Sequence, residues 1–588
     1  MALRFTMKKR RMLLVFLLLI SFAGAWSLYH RNALNVPPPY PSLAQAVPEG
    51  PLLYIEAKNF SNLLSDWNSS PEKANWLESE NNDVFSNSRM LLRLQRFYEN
   101  FAVAAGVPPD TRFVADAAGR ESVFALYDIG KIEFLYITHL PSAGFLNSVL
   151  WRSRNKFQPR SAGGTQFFTR KDNDSGQVVA FAVAGDYLLL ATREDLMAHA
   201  LEMLNGRPGN NLQQESWFAK AVSEAPAASS DLRMVLNLSR IAVAPQFRTY
   251  WIQQNITEMK GYTASVCDLY REGQVYREER VLLRKTTETG NTEVGNKAAQ
   301  ASPESSSAVA ALLPLAPSDF GFYQIRQTTP HEALEVVEQK ILSPHVAGAG
   351  PQNHAPQVVL TSGEIGLESD LDTRIDVAPP VNETRFSRMR RQFEQSRAEA
   401  LLVVQGTRDN GDGVLLTIPS AVVVAAARNW DEQAVQSALQ SDLAAGMSVA
   451  TLGLDWQKVD QAGRYFELNG VRPLQLAVRG KFLYISMERE TLAAMLQGQN
   501  SEAQPQSKDL IYVASFNHAR ERQNFYDMMD DIDHSSQATS AYEGKQPHFF
   551  SENIASLSNT LERLESEKIT VRQRGDKVFQ TVTYQWSK

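Results

Sequence analysis

The chain reads twice, and an internal repeat limits the folds open to a sequence more than any single motif does. Ala180–Thr192 runs AFAVAGDYLLLAT and Gln475–Met487 runs QLAVRGKFLYISM; Ala182, Val183, Gly185 and Leu188 match Ala477, Val478, Gly480 and Leu483 at a constant offset of 295. Both are apolar, aromatic-bearing runs around a Gly-centred turn, the pattern of a β-hairpin. Each leads into a helical pattern, Asp195–Leu204 and Glu490–Leu496, closed by Gly206 and Gly498 as a C-cap would be.

Further landmarks pair in the same order. Ser88-Arg89-Met90 answers Ser387-Arg388-Met389, and Asp231-Leu232 to Val235 answers Asp509-Leu510 to Val513. Gly273–Leu283 answers Gly575–Trp586, each a turn followed by an alternating strand. Ile132–Ala143 is matched to Gly413–Ala421 through Pro141-Ser142-Ala143 and Pro419-Ser420-Ala421. There a strand is expected to end at the proline and a helix to run on to Trp151 or Trp430.

The expected fold class is therefore α+β, with two tandem related units at 48–285 and 311–588. Each unit is expected to be an antiparallel sheet with helices packed on one face, containing a three-stranded meander and closed by a hairpin. Residues 286–310 between them (TTETGNTEVGNKAAQASPESSSA over Thr286–Ala308) have almost no large apolar side chains and read as a flexible linker. Ser343–Thr384, with Pro379-Pro380, reads as a loop insertion in the second unit.

Charge separates the N-terminus from this body. Residues 1–31 carry Arg4, Lys8, Lys9, Arg10, Arg11 and Arg31 and no acid, so the net charge of −6 becomes −12 over residues 32–588. An acidic body argues against a nucleic-acid partner. The basic cluster precedes the uncharged stretch Met12–Tyr29, about 27 Å long as a helix at ~1.5 Å per residue. Two readings fit it: a single-pass inner-membrane anchor with Trp26 and Tyr29 at the outer interface, or a signal peptide cleaved after Ala23-Gly24-Ala25. Both put the body on the periplasmic or extracytoplasmic side. Residues 32–47, with Pro37-Pro38-Pro39 and Pro41, read as a proline-rich spacer.

The block Pro48–Trp67 (PEGPLLYIEAKNFSNLLSDW), with Asp116-Ala117-Ala118-Gly119-Arg120-Glu121 leading into Val123–Asp128, resembles an uncharacterised bacterial family of exported proteins, the domain-of-unknown-function family 3352. The resemblance spans most of the first unit and, more faintly, the second. It implies a bacterial origin and an N-terminal membrane segment, and supplies no catalytic residue.

No chemistry-bearing constellation converges. One cysteine in 588 residues excludes a disulfide framework, an iron–sulfur cluster and a zinc site built on several thiolates. Cys267 has no nearby His or basic residue in sequence to activate it and reads as a small buried hydrophobe. Gly130-Lys131, Gly480-Lys481 and Gly544-Lys545 are followed by Ile, Phe and Gln, so no Walker hydroxyl is present. No G-x-S-x-G elbow occurs, and Ser70–Lys73 lacks the partner motifs of that spacing. His331-Glu332 has no second His at the metalloprotease step.

The best cation candidate is Asp527, Asp530, Asp531, Asp533 and His534, four of which share a helix face; its plainer reading is a solvated acidic helix end. Asp172-Asn173-Asp174-Ser175-Gly176 resembles the start of a calcium loop but has Val183 where the closing Glu belongs, so it reads as a turn, like Asp409–Gly413. Arg385, Arg388, Arg390, Arg391 and Arg397 are interleaved with Glu383, Glu394 and Glu399, a salt-bridged helix face. The matching Met90–Tyr98 is apolar and is expected to be core or a contact between units. No catalytic, cofactor-binding or metal residue is therefore assigned. The favoured function is a non-catalytic interaction or scaffold module of the bacterial cell envelope, tethered to the membrane and meeting an envelope protein partner. A lipid or hydrophobic-ligand binding protein is the alternative, and an enzyme of unrecognised type the third reading.

Overall fold

The computed structural model describes residues 42–587 except 108–115, 226–229, 245–259, 286–302, 318–319, 343–385, 408–419, 447–454, 461–463, 469–473, 499–508, 525–562 and most of 71–88 and 141–147. The N-terminal basic and apolar segment, most of the proline-rich stretch, Ser343–Thr384, Asp409–Gly413 and Asp527–His534 lie outside the described residues.

The fold is α+β with antiparallel strand pairing. The first half contributes β1 (Leu53–Ala57), β2 (Ser122–Asp128), β3 (Glu133–His139), β4 (Gln158–Ala162), β5 (Thr165–Lys171), β6 (Val178–Ala184), β7 (Tyr187–Ala191), β8 (Leu232–Leu236), β9 (Tyr262–Glu272) and β10 (Val275–Arg284). The second contributes β11 (Phe322–Gln327), β12 (Ala398–Gln405), β13 (Ser420–Ala426), β14 (Trp456–Val459), β15 (Tyr465–Leu468), β16 (Leu474–Arg479), β17 (Phe482–Ser486), β18 (Leu510–Asn517), β19 (Leu564–Arg574) and β20 (Lys577–Trp586). Across the sheet the first ten run β4-β5-β6-β7-β3-β2-β1-β8-β9-β10. The second ten run β14-β15-β16-β17-β13-β12-β11-β18-β19-β20, strand for strand the same path. The Gly-centred hairpins fall as expected, with Gly185 and Gly480 at φ +60° and +57° in two-residue turns.

The two sets meet at one seam, where β10 pairs antiparallel with β20 from Val275↔Gln585 to Leu283↔Lys577. Gly273 and Gly575 mark equivalent turns 302 residues apart; Glu279 and Thr581, also 302 apart, face each other at the middle of the ladder. The seam thus has the self-complementary register of an isologous interface, with a local pseudo-two-fold axis at Glu279/Thr581. Lys577 Nζ lies 2.6 Å from Glu224 Oε2 and Lys220 Nζ 3.6 Å from Asp576 Oδ2, tying the second half's hairpin to a helix of the first. The far edges are β4 and β14; Pro159 in β4 withholds a donor and Lys458 charges β14, both of which discourage edge pairing.

The helices are α1 (Phe60–Asn68), α2 (Arg89–Ala105), α3 (Val149–Arg152), α4 (Glu194–Leu204), α5 (Ser216–Glu224) and α6 (Leu238–Ile241) in the first half. The second has α7 (Pro303–Leu312), α8 (Pro330–Val337), α9 (Ser387–Ser396), α10 (Glu432–Gly446) and α11 (Arg489–Gln497). They cover both faces of the sheet, not one. On one face Ile137, Ala182 and Leu189 pack with Met197 and Leu201 of α4 and Phe218 of α5. On the other, Phe134, Phe181 and Leu190 pack with Phe101 of α2 and Leu150 of α3. The second half repeats this, with Val422 and Ile485 under α8–α10 and Val423 and Ala477 under α7 and α11. Strands buried on both faces lose polar alternation, so the continuous apolar runs Val178–Ala184 and Ala421–Ala426 are the sign of a doubly covered sheet.

Other expectations are corrected. The meander has four strands, because Gly163-Gly164 turns β4 back onto β5. After Pro419 comes strand β13 and not a helix: Ser420–Ala426 is buried throughout, and Ile137 corresponds in pairing to Val423 rather than to a residue before Pro419. The expected linker 286–310 ends early, since α7 starts at Pro303, a residue suited to a first helical position, and buries Val309 and Leu312. The expected spacer 32–47 also gives way at its end. Leu43–Ala46 form a 3₁₀ turn whose Leu43, Ala44 and Ala46, with Val47, sit in the first core.

Candidate functional site

The residues that carry the family resemblance are structural. Pro48–Trp67 spans β1 and α1, and the Pro48 carbonyl accepts a 2.8 Å hydrogen bond from the Tyr127 hydroxyl. Gly119 lies against β3: its N–H donates to Thr138 Oγ1 at 3.1 Å, and a Cβ there would stand 2.3 Å from both that oxygen and the His139 carbonyl. Ser122 and Thr138 hydroxyls meet at 2.6 Å, and Tyr136 donates to the Ala117 carbonyl at 2.8 Å. The Asp116–Glu121 stretch therefore lashes the entry of β2 to β3.

Cys267, on β9, is half-buried among Arg280 and Glu278, and burial pushes its thiol up to about 11, with the Glu278 charge adding to the effect. A thiol held protonated is a poor nucleophile. Asp172–Gly176 is the β5–β6 turn; Asp172 Oδ2 accepts from Ser175 N at 2.9 Å and Ser175 Oγ at 2.6 Å, which lowers the carboxyl below its ordinary range. Of the arginine run, Arg388, Arg390 and Arg391 lie on α9 and Arg397 caps its C-terminus, while Arg385 lies outside the described residues. Asp442 Oδ2 accepts the Arg388 and Met389 amides at 3.0 and 2.9 Å, and Met389 and Phe393 are buried.

One polar group escaped the sequence reading. Asp268 on β9 is fully buried and receives Arg233 Nε and Nη2 at 2.7 and 2.8 Å and Ser230 Oγ at 3.0 Å. The bidentate contact holds the Arg233 guanidinium above its ordinary range. Arg233 and Asp268 face each other across β8 and β9, a pairing the sequence hides because 35 residues separate them. Both are saturated by fixed partners, which makes the pair structural. Among the described residues no three His, Cys, Asp or Glu side chains come together as metal ligands.

The surface distinguishes the two halves more than any cleft. On the first half's outer face, Phe60 of α1 stands 6.4 Å from the Tyr136 ring and Phe97 of α2 stands 6.2 Å from the Phe134 ring. Phe134 and Tyr136 are alternate residues of β3, so both helices lie over one sheet face. No residue of α1 is buried, and Trp67 is 52% exposed; on α2, Leu92, Leu94 and Val103 are 46%, 44% and 61% exposed. The expectation that Met90–Tyr98 is core or a contact between units therefore fails for Leu92 and Leu94, since the halves meet at β10–β20. Among the described residues of the corresponding face in the second half, Leu334 and Val337 of α8, Phe393 of α9 and Leu439 and Leu443 of α10 are buried. Exposed large apolar side chains on α1 and α2 therefore set this face of the first half apart.

No protein-family model matches the sequence, and no curated protein matches it. Among solved structures, crystal forms I and III of TP0453 are similar at 11% and 12% identity, covering 42% of this chain and 81% and 80% of theirs, with TM-scores of 0.24 and 0.23. Similarity at that level does not define a common fold. Among the described residues no helix is long and apolar enough to cross a membrane.

Proposed function

We propose that the protein is a non-catalytic, membrane-tethered module of the bacterial cell envelope that meets a partner protein through the α1/α2 face of its first half. The observation that carries this reading is the difference between two similarly built halves: Trp67, Leu92, Leu94 and Val103 lie open in one, while Val337, Phe393, Leu439 and Leu443, among the described residues of the other's matching face, are buried. Exposing large apolar side chains costs solubility, and that cost is offset when a partner covers them. The halves are read as copies of one ancestral unit, since ten strands follow the same path twice and the seam pairs equivalent residues. Tethering rests on the sequence: the basic cluster Lys8–Arg11, the apolar Met12–Tyr29 and the resemblance to family 3352 support a body held outside the cytoplasm.

The test is co-purification of the full chain extracted from membranes in mild detergent. The expected result is a stoichiometric protein partner that is lost in a Trp67→Ser/Leu92→Ser variant whose unfolding midpoint is unchanged. A chain that comes off the membrane alone, or whose partner survives that variant, would overturn the reading.

A further inference from the structure

The two outer edges of the sheet differ in charge. From the end of β3 to the end of β5, Leu140–Lys171 carries six Arg and Lys and no acid; over the equivalent stretch of the second half, Ala427–Leu468, three Arg and Lys stand against six Asp and Glu. At the far-edge hairpin the cations are paired, Lys458 with Asp460 at 2.9 Å and Arg464 with Glu432 at 2.9 Å.

At the near edge they are not. Gln158 pairs with Thr169, so Lys156, just before β4, and Arg170-Lys171, which close β5, stand at the same end of the hairpin. A Cβ built on Gly106, just past α2, would lie 3.4 Å from Arg170 Nη1 and 3.8 Å from Lys156 Nζ, so these two charges converge at the C-terminal end of that helix. Arg154 joins them, its Cζ 4.8 Å over the Trp151 ring, which in turn meets Phe168 at 5.8 Å. Among the described residues Arg154, Lys156, Arg170 and Lys171 form no ion pair with a carboxylate. Arg170 feels the charge of Asp172 in the next turn, but that carboxylate is already held by Ser175. Arg154, Lys156 and Lys171 are exposed. Gathered like charges repel, and the negative end of the α2 dipole offsets only part of that; an anionic surface offsets the rest.

The entry point of the chain selects the surface. Gln45, three residues after the first described one, lines one cleft with Met203 of α4. The end of α4 packs on the β4–β5 turn: Asn205 Nδ2 donates to Thr165 Oγ1 at 3.0 Å, and a Cβ on Gly163 would stand 3.0 Å from the Leu201 carbonyl. The chain therefore joins the body at the near edge. Residues 32–41 reach at most about 35 Å from the membrane segment. With 20 strands about 4.8 Å apart, the β14 edge lies about 90 Å away along the sheet. The basic, unpaired hairpin is thus the one beside the tether, and the paired one lies beyond its reach.

Resting on the tethering part of the reading above, and independent of the α1/α2 contact, we infer that the corner formed by Arg154, Lys156, Arg170 and Lys171 docks on the anionic phospholipid surface of the bilayer that holds the chain. Each basic side chain brought to such a surface strengthens docking about fivefold.

The experiment reconstitutes the full chain into vesicles of phosphatidylcholine alone or of equal parts phosphatidylcholine and phosphatidylglycerol, and follows acetylation of individual lysines by mass spectrometry. Lys156 and Lys171 should react at least about fivefold more slowly on the mixed vesicles, while Lys458 on the far edge reacts equally on both. The protection should vanish in about 0.5 M salt. It should be lost in Arg154→Gln/Arg170→Gln, which weakens docking about 25-fold, and kept in Arg154→Lys/Arg170→Lys, with the same circular dichroism for all three proteins. Protection that survives the salt, or that the glutamine variant keeps, overturns the inference. Protection seen in native membranes but absent on the mixed vesicles overturns it too and assigns the corner to an acidic protein. A chain that floats with neither vesicle removes the tethered reading and this inference together. One that floats with both while Lys156 and Lys171 react alike on the two removes this inference alone.

Discussion

The seam between the halves is the contact most exposed to a single substitution. Arg284 N–H donates to the Asp576 carbonyl at one end of the β10–β20 ladder and Trp586 N–H to the Gln274 carbonyl at the other, at 2.8 and 3.0 Å. Stepping inward by two from either end makes Arg280 and Gln580 a hydrogen-bonded pair and leaves Glu279 and Thr581 a non-bonded one. Gln580→Pro removes an N–H aimed at β10 and strands the Arg280 carbonyl in a buried ladder. One lost hydrogen bond costs about 0.5–1.5 kcal/mol and the stranded acceptor about 1–3. With the ring's clash the total is about 3 kcal/mol or more. Thr581→Ala, next door on the half-exposed non-bonded pair, should cost under about 1 kcal/mol. The assay places a protease site in 286–302, cleaves, and follows the fragments by size-exclusion chromatography through a urea series. The expected outcome is co-elution of both halves in the unsubstituted and Thr581→Ala chains, and separation at a urea concentration about 1 M lower in Gln580→Pro. Fragments that separate without urea, or a proline variant that matches the parent, would refute the reasoning.

Three further outcomes follow from particular contacts. Gly119→Ala drives a methyl group into the His139 carbonyl and Thr138 Oγ1, so thermal denaturation should show a loss at the upper end of the ~1–3 kcal/mol typical of overpacking; an unchanged Tm would contradict the packing. Arg233→Leu strips a bidentate partner from a fully buried carboxylate and should cost about 3–5 kcal/mol by urea unfolding, while Arg233→Leu/Asp268→Leu recovers most of it; additive losses would contradict a coupled pair. For Cys267 the folded thiol titrates higher than the unfolded one, so burial contributes stability at neutral pH that is lost as pH rises from about 9 through about 11. Iodoacetamide labelling of the native chain should accordingly stay slow at pH 8 and accelerate toward pH 11, and rapid labelling at pH 8 would falsify the burial.

What the sequence made legible was local or periodic. The paired hairpins at Gly185 and Gly480 announce themselves because a two-residue turn needs positive φ and its flanks are apolar, aromatic-bearing runs. The α+β class follows from the same strands. The second covered face was harder to see. Ala421–Ala426 is apolar at every position, which a helix, a strand on one face or a strand between two layers could each supply, and the preceding proline favours a helix. The seam was invisible, because no local rule connects residue 279 with residue 581. The Arg233–Asp268 pair was hidden for the same reason. The exposure of Leu92 and Leu94 is equally hidden, because their apolar composition is that of core residues.

The surface is tested most directly in the cell. A photo-crosslinking amino acid placed at position 92 or 67 of the full chain, with Arg160 on the exposed edge strand β4 as the control site, reports what touches each position in the intact cell. Adducts of one discrete mass from positions 92 and 67, and none from 160, are the expected result. No adduct at 92 and 67, or the same adducts from all three sites, would contradict a dedicated contact surface on α1 and α2.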